Sequence, residues 1–225
     1  MKYTYLLIDF FTIVVPFLFS FHPKLNFYKT WKAFFPAVLI TGIVFIAWDI
    51  YFTKLGVWGF NPDYLTGFKV INLPIEEILF FLCIPYSCVF TFHCLNLFLK
   101  RSPSKKTENI ISWALIVFAI VMSIIYFQSI YTLVTFISLA ALILISKFIL
   151  KVNWLGKFYL IYLILLLPFL IVNGLLTGTG LAAPVVWYNS SEIIGLRILT
   201  IPFEDIFYGV NLILMNLLIY LPLKK

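Results

Sequence analysis

Seven apolar stretches follow one another along the chain, and short polar or basic segments separate them. At about 20 residues per bilayer crossing, the pattern predicts helices at 4–21, 33–52, 74–99, 110–127, 130–147, 156–176 and 203–222. The uncharged run 110–146 is too long for one crossing, and lysines lie at both of its ends, so we divide it at Tyr126–Ser129. The sequence therefore predicts an all-α, polytopic membrane helix bundle with about seven transmembrane helices.

The composition excludes a soluble globular domain. Hydrophobic residues make up 63% of the 225 residues and charged residues 11%, and the mean hydropathy is +1.07. The formal net charge of +7 does not indicate a nucleic-acid partner, because the basic residues lie in short loops between apolar runs.

The basic residues predict an orientation in the membrane. Twelve of them fall in loops on one face of the predicted bundle, and four fall on the other face, namely Lys2, Lys54, Lys69 and Arg197. Since lysine and arginine accumulate in cytoplasmic loops, we expect the carboxyl terminus in the cytoplasm and the amino terminus outside. The expected location is a bacterial inner membrane.

An internal repeat fits this topology. Segments 61–77 and 189–205 align without a gap and share Asn, Gly, a basic residue, Pro, Glu and a second acid in the same register. Helices 1–3 then correspond to helices 5–7 as parallel repeats, whose interface is a common place for a site. Within a single membrane domain, 1–225, the predicted division is a first repeat at 1–100, a linking helix at 101–129 and a second repeat at 130–225.

Each repeat places two acids at the start of a helix. Glu76 and Glu77 open helix 3, and Glu204 and Asp205 open helix 7. Two more acids lie near the same end of the bundle: Asp49 in the last turn of helix 2, and Asp9 in the first helix.

Carboxylates at the edge of a hydrocarbon layer are costly and usually functional. Helix-start carboxylates that face headgroups could explain either pair alone, but their duplication favours a shared site. Neighbouring carboxyl groups at a low-dielectric boundary cannot all ionise, so the site would hold a proton donor beside a proton acceptor. The sequence does not say which acid is which.

Other candidate motifs indicate neither a metal site nor a nucleotide site. Cys83, Cys88 and Cys94 match no zinc spacing and are interpreted as packing residues. The G-x-G-x-x-A stretch 178–183 follows no predicted strand and precedes Pro184, so we interpret it as a loop.

With these motifs, the chain resembles the integral-membrane lycopene cyclases, small carotenoid cyclase domains found as two-subunit bacterial enzymes or as fused single chains. The resemblance rests on Pro-Ile-Glu-Glu-Ile-Leu-Phe at 74–80 and Pro-Phe-Glu-Asp-Ile-Phe-Tyr at 202–208. Trp-Gly-Phe-Asn at 58–61 and Trp-Tyr-Asn at 187–189 support it. It covers nearly the whole chain, as two cyclase repeats in one polypeptide. The second repeat departs from the first in its Asp205, so the halves are expected to have unequal roles.

The resemblance implies a redox-neutral cyclisation of the acyclic ψ end groups of lycopene to β-ionone rings, without a stoichiometric cofactor. For this chemistry we expect acid–base catalysis from Glu76, Glu77, Glu204 and Asp205, with Asp49 as a tuning or reprotonating group. The residues expected to contact the substrate are Trp58, Asn61, Phe80, Trp187, Asn189 and Tyr208. The expected partners are the apolar polyene, drawn from the bilayer, and membrane lipids. Association into homo-oligomers or with other carotenoid enzymes stays open.

Three other functions remain as alternatives. A proton-coupled transporter also uses membrane carboxylates in repeated halves, but it would place some of them near the midplane with broken helices. A retinal photoreceptor needs a Schiff-base lysine, and no predicted span carries one in its interior. A non-catalytic assembly subunit would show no activity when purified alone.

Overall fold

The computed structural model describes residues 2–224, which form a bundle of seven α-helices with short strands in the loops at one end. The helices are α1 (Thr4–Phe19), α2 (Trp31–Leu55), α3 (Ile75–Phe98), α4 (Lys105–Ile125), α5 (Ile130–Leu144), α6 (Leu155–Leu176) and α7 (Phe203–Leu223). The all-α fold class predicted from the apolar pattern is confirmed.

Six of the helices in this described range, α2 to α7, are long and apolar enough to cross a bilayer. The remaining helix, α1, is apolar but has only 16 residues, about 24 Å at 1.5 Å per residue. The prediction of a first helix over 4–21 was therefore too long. The helix ends where Ser20 turns its hydroxyl back onto the Pro16 carbonyl at 2.7 Å and also contacts the Tyr86 hydroxyl at 2.6 Å.

The long uncharged run divides where the sequence predicted. Helix α4 ends at Ile125 and α5 begins at Ile130, so the loop falls at 126–129. The start of α4 was placed too late, at 110. It begins at Lys105 because the Ser104 hydroxyl accepts a hydrogen bond from the Thr107 amide at 3.1 Å and caps the helix.

Short strands, which the sequence did not predict, join the two outer loops. Strand β1 (Trp58–Phe60) pairs in antiparallel fashion with β4 (Val186–Tyr188), so that Trp58 lies opposite Tyr188. Gly59 faces Trp187, whose ring occupies the space that a Cβ would need. The β1–β4 ladder therefore fixes the loop of one half of the chain directly against the loop of the other.

Each half also contains a tight hairpin that leads into an acidic helix start. Strands β2 (Lys69–Val70) and β3 (Leu73–Pro74) form the first hairpin, and β5 (Arg197–Ile198) and β6 (Ile201–Pro202) form the second. The turns place Ile71 at φ 61° and Leu199 at φ 57°, left-handed values that are unfavourable for residues with a branched or bulky side chain. Both hairpins end at the proline that precedes α3 or α7, which fixes where each acid pair enters the bundle.

The helices pack as two similar sets. Helix α1 packs on α3, and α5 packs on α7, while α2 crosses to contact both α3 and α7. Helix α4 lies beside α5. As a result, the starts of α3 and α7 lie in the interior of the bundle, between its two halves.

Candidate active site

A cavity of about 620 Å³ lies between the two halves of the bundle. Its lining comes mainly from α1, α3, α6 and α7, with side chains from β1 and β4 closing the outer end, and most of it is apolar. The rim includes Leu7 and Phe11 of α1 and Ile171 of α6, all of which are exposed on the outer surface of the bundle. The cavity therefore reaches the lipid-facing surface between α1 and α6.

The second acid of each pair lines this cavity. Glu77 and Asp205 both face it, one from each half, and both are buried. A tyrosine from the first turn of a neighbouring helix binds each of them. The Tyr5 hydroxyl donates to Glu77 Oε2 at 2.5 Å, and the Tyr131 hydroxyl donates to Asp205 Oδ1 at 2.6 Å. One acid of each pair thus faces the same apolar space.

Asp205 is surrounded by hydrogen-bond donors. Besides Tyr131, it accepts a hydrogen bond from Asn173 Nδ2 at 2.7 Å and one from the Tyr188 hydroxyl at 3.0 Å. Burial, and after it the nearby Asp205, raises the pKa of the loop residue Tyr188 well above its ordinary value, so its hydroxyl keeps its proton and stays a donor. Three donors aimed at one carboxyl group favour its ionised form.

Glu77 lies instead in a cluster of acids. The Glu77 and Asp49 carboxyl groups interact directly, and Asp49 Oδ1 accepts hydrogen bonds from the Trp58 indole and, at 3.2 Å, from the Thr53 hydroxyl. The ion pairs found among residues 2–224 involve Glu108, at the opposite end of the bundle, so no cation compensates this cluster. Two buried carboxyl groups in contact without a cation cannot both be charged, so one of them holds a proton.

The first acid of each pair points away from the cavity into its own loop. Glu76 Oε1 accepts the Thr66 amide at 2.6 Å, and Glu204 Oε1 accepts the Ile194 amide at 2.6 Å. Both residues are fully buried, and neither contributes to the cavity lining. The sequence treated the two members of each pair alike, but the structure separates them: one holds a loop and the other faces the cavity.

Asp9 is the remaining acid at this end. It is buried on α1, interacts electrostatically with Glu76 and Glu77, and does not line the cavity. Within residues 2–224, neither of its carboxyl oxygens has a hydrogen-bond partner. An uncompensated buried carboxyl group is costly when charged, so Asp9 adds to the excess of acid around Glu77.

Aromatic rings form much of the wall near the acids. Trp58, Phe80 and Tyr208, all expected from the sequence to contact the substrate, line the cavity. The Trp58 ring packs edge-on against Tyr131 at 5.1 Å between centroids. Aromatic faces attract cations, so this wall can stabilise positive charge that develops inside the cavity.

Three other expected substrate contacts lie outside the lining. The Asn61 side chain accepts the Asp63 amide at 3.0 Å, and the Asn189 side chain accepts the Ser191 amide at 3.1 Å, so both residues form turns. The Trp187 ring lies over Gly59 on the β1–β4 ladder and is 44% exposed. All three side chains therefore belong to the outer loops and lie outside the cavity lining.

Sequence reasoning missed four residues that contact the cavity-facing acids. Tyr5, Tyr131, Asn173 and Tyr188 come from three helices and one strand that are far apart in sequence. Tyr5 and Tyr131 each lie in the first turn of the first helix of a half. The register that aligns the acid pairs places Tyr5 opposite Leu133, so extending the gapless repeat would not have paired Tyr5 with Tyr131. The available signal is a tyrosine in the first turn of the first helix of each half.

Comparisons with known proteins agree on one family. A family model described as "Lycopene cyclase" matches the chain in two segments, residues 2–95 and 128–223. A curated protein from Aspergillus niger, described as "Bifunctional lycopene cyclase/phytoene synthase", is 32% identical over 59 residues. That alignment covers 24% of this chain and 10% of the relative, so the chain spans only a small part of the relative's length. No solved structure matches the chain.

Proposed function

The chain belongs to the lycopene cyclase family, and on this premise we propose that it cyclises the ψ end groups of lycopene to β-ionone rings, giving β-carotene. One observation carries the proposal: an acid from each half lines a single apolar cavity that reaches the lipid-facing surface. Lycopene is an apolar polyene dissolved in the bilayer, so a cavity that opens between α1 and α6 suits its entry.

We assign the proton donor to the first half. The Glu77–Asp49 pair holds a proton because its two carboxyl groups interact without a compensating cation. Glu77 faces the cavity, and its O–H bond breaks as the proton joins the terminal double bond of the ψ end group. The resulting tertiary cation is attacked by a second double bond of the polyene, and a new carbon–carbon bond closes the six-membered ring.

We assign the base to the second half. Asp205 carries its negative charge among three donors and faces the same cavity. It removes a proton from the carbon beside the ring cation, and the electrons of that C–H bond form the ring double bond. Atoms and electrons balance, because one proton enters and one leaves. The reaction is therefore an isomerisation of the intramolecular-lyase type and consumes no cofactor.

The surroundings protect the cation between these two steps. Trp58, Tyr208 and Phe80 present rings to the cavity, and cation–π attraction stabilises a charge that cannot be hydrated there. A largely apolar lining also excludes the water that would quench a carbocation. Glu76 and Glu204 act as positioning residues, since they hold the loops that lead into α3 and α7.

The sidedness follows from the basic loops. Their excess on one face supports a cytoplasmic carboxyl terminus, so the acidic end of the bundle would lie beneath the outer leaflet. The position of the acids does not favour a proton-coupled transporter. Both acid pairs lie in the first turns of their helices and not at mid-depth.

The test is expression of the chain in lycopene-producing bacteria, followed by separation of the pigments. We expect cyclised carotenoids from the wild type and unchanged lycopene from the double variant Glu77→Gln/Asp205→Asn. Asp63→Asn is the matched control, because Asp63 is an exposed acid of the same outer loops and lies outside the cavity. Unchanged lycopene with the wild type, or cyclisation by the double variant, would contradict the proposal.

A further inference from the structure

The proposed chemistry leaves the site in a different state after each ring closure. Glu77 has lost a proton and Asp205 has gained one, so a second turnover requires that the proton be moved back. The cavity between them is apolar and bounded by aromatic rings, which offers few routes through water. A protein group that reaches both acids would restore the starting state.

Tyr208 lies near both cavity-facing acids. It is three residues after Asp205 on α7, so the two side chains share a helix face, and it lines the cavity. Its hydroxyl interacts electrostatically with Asp49, Glu77 and Asp205. It is thus within electrostatic range of the donor pair and of the base.

The Tyr208 hydroxyl differs from those of the other site tyrosines. Tyr5, Tyr131 and Tyr188 each donate a hydrogen bond to one carboxyl group. In the part of the chain that the structure describes, the Tyr208 hydroxyl makes no hydrogen bond, and Phe45 and Trp48 hold its ring edge-on at 5.2 Å between centroids. No hydrogen bond commits this hydroxyl to one of the acids, and the hydrogen bonds of catalytic groups often tighten only when the substrate binds.

The Tyr208 hydroxyl has no counterpart at the corresponding position of the first repeat. Position 208 corresponds to position 80 in the register that aligns the two acid pairs, and that position is Phe80. Both rings line the cavity, so a ring is required by the shape of the wall in both halves. Only the second half adds an oxygen to it.

From these positions we infer that Tyr208 returns the proton from Asp205 to the Glu77–Asp49 pair after each cyclisation. This inference rests on the proposed function. The Asp205 O–H bond breaks as its proton joins the Tyr208 oxygen, and the original Tyr208 proton passes to the Glu77 carboxylate. Tyr208 is neutral before and after, and one proton has moved across the cavity.

The test compares first and later turnovers of the purified protein in lipid vesicles that contain lycopene. Tyr208→Phe keeps the ring and removes only the oxygen. Because Tyr208 also lines the cavity, the variant is compared with itself: we expect its later turnovers to be at least about tenfold slower than its own first turnover, since a missing proton-transfer group typically costs 10²–10⁴-fold. In D₂O the wild type should place less than one deuterium in each new ring, because the abstracted proton is reused. Tyr208→Phe should place one in each, taken from solvent.

The matched control is Tyr220→Phe. Tyr220 lies on the same helix, is buried, and donates to the Thr30 hydroxyl at 3.0 Å far from the acids, so its loss should leave both readouts as in wild type. Sustained turnover by Tyr208→Phe at the wild-type rate would overturn the inference. Equal slowing of its first and later turnovers would also do so, because it would indicate a role in shaping the cavity or stabilising the cation. A wild type that forms no ring would instead refute the proposed function.

Discussion

The two halves of the bundle hold their cavity-facing acids in similar frames but in opposite surroundings. A first-turn tyrosine binds Glu77 in one half and Asp205 in the other. Around Glu77 the neighbours are further acids, Asp49 and Asp9, whereas around Asp205 they are neutral donors. The two halves thus share one geometry, while side chains outside the repeated motif give the two acids opposite surroundings, as the proposed donor and the proposed base require.

The largest expected difference in activity lies between variants of the two acids within each pair. Glu77→Gln and Asp205→Asn should each lower the cyclisation rate by about 100- to 10,000-fold, because each removes a proton-transfer group from the cavity. Glu76→Gln and Glu204→Gln should retain most of the activity, since the amide oxygen can still accept the Thr66 or Ile194 amide. Initial rates of pigment conversion measure the difference. Equal losses from all four variants would show that the members of a pair do not have separate roles.

Asp49→Asn tests the origin of the proton in the first half. Without the charge of the second acid, Glu77 ionises more readily, so a smaller fraction of Glu77 carries the proton that it must donate. We expect the rate of first ring formation to fall by about 10- to 100-fold, within the range of a single acid–base effect. Thr53→Val is the control, because it removes only a 3.2 Å hydrogen bond to the same carboxyl group. An unchanged rate in Asp49→Asn would remove Asp49 from the donor pair.

An effect no larger than that of Asp49→Asn is expected from the donors of the second half. Asn173→Leu removes one of the three hydrogen bonds to Asp205, and a hydrogen bond to a charged group is worth about 1.5–3 kcal/mol. Activity should therefore fall by about 10- to 100-fold, and Tyr188→Phe, whose bond is longer at 3.0 Å, should lose less. The readout is the initial rate at saturating lycopene. A faster enzyme after either change would contradict the role of these donors.

The smallest effect concerns the hairpins, where the halves should behave alike. Ile71→Asn and Leu199→Asn place a residue that tolerates left-handed backbone at φ 61° and φ 57°. Each should raise the free energy of unfolding by about 1 kcal/mol and leave activity unchanged. Thermal unfolding in detergent measures it. Clearly unequal shifts would show that the two hairpins are not equivalent.

The sequence predicted the elements of this fold better than their contacts. Apolar run lengths and the lysines around them placed the helices and the break at 126–129, because a bilayer imposes those lengths directly. The acid pairs were found because the repeat marks them. The division between Glu76 and Glu77 was not, since it depends on which backbone amide each side chain reaches. The ladder between β1 and β4 has three residues in each strand, too few for an alternating pattern to be recognised.

That ladder has a consequence for how the molecule is held together. Backbone hydrogen bonds between β1 and β4 join the outer loops, and α2 packs on α7 across the same boundary. Cohesion between the halves therefore comes from surfaces that would persist if the backbone were severed at the non-helical segment 99–104 before α4. In this architecture, the covalent link sets the stoichiometry of the two halves at one to one, while non-covalent recognition aligns them.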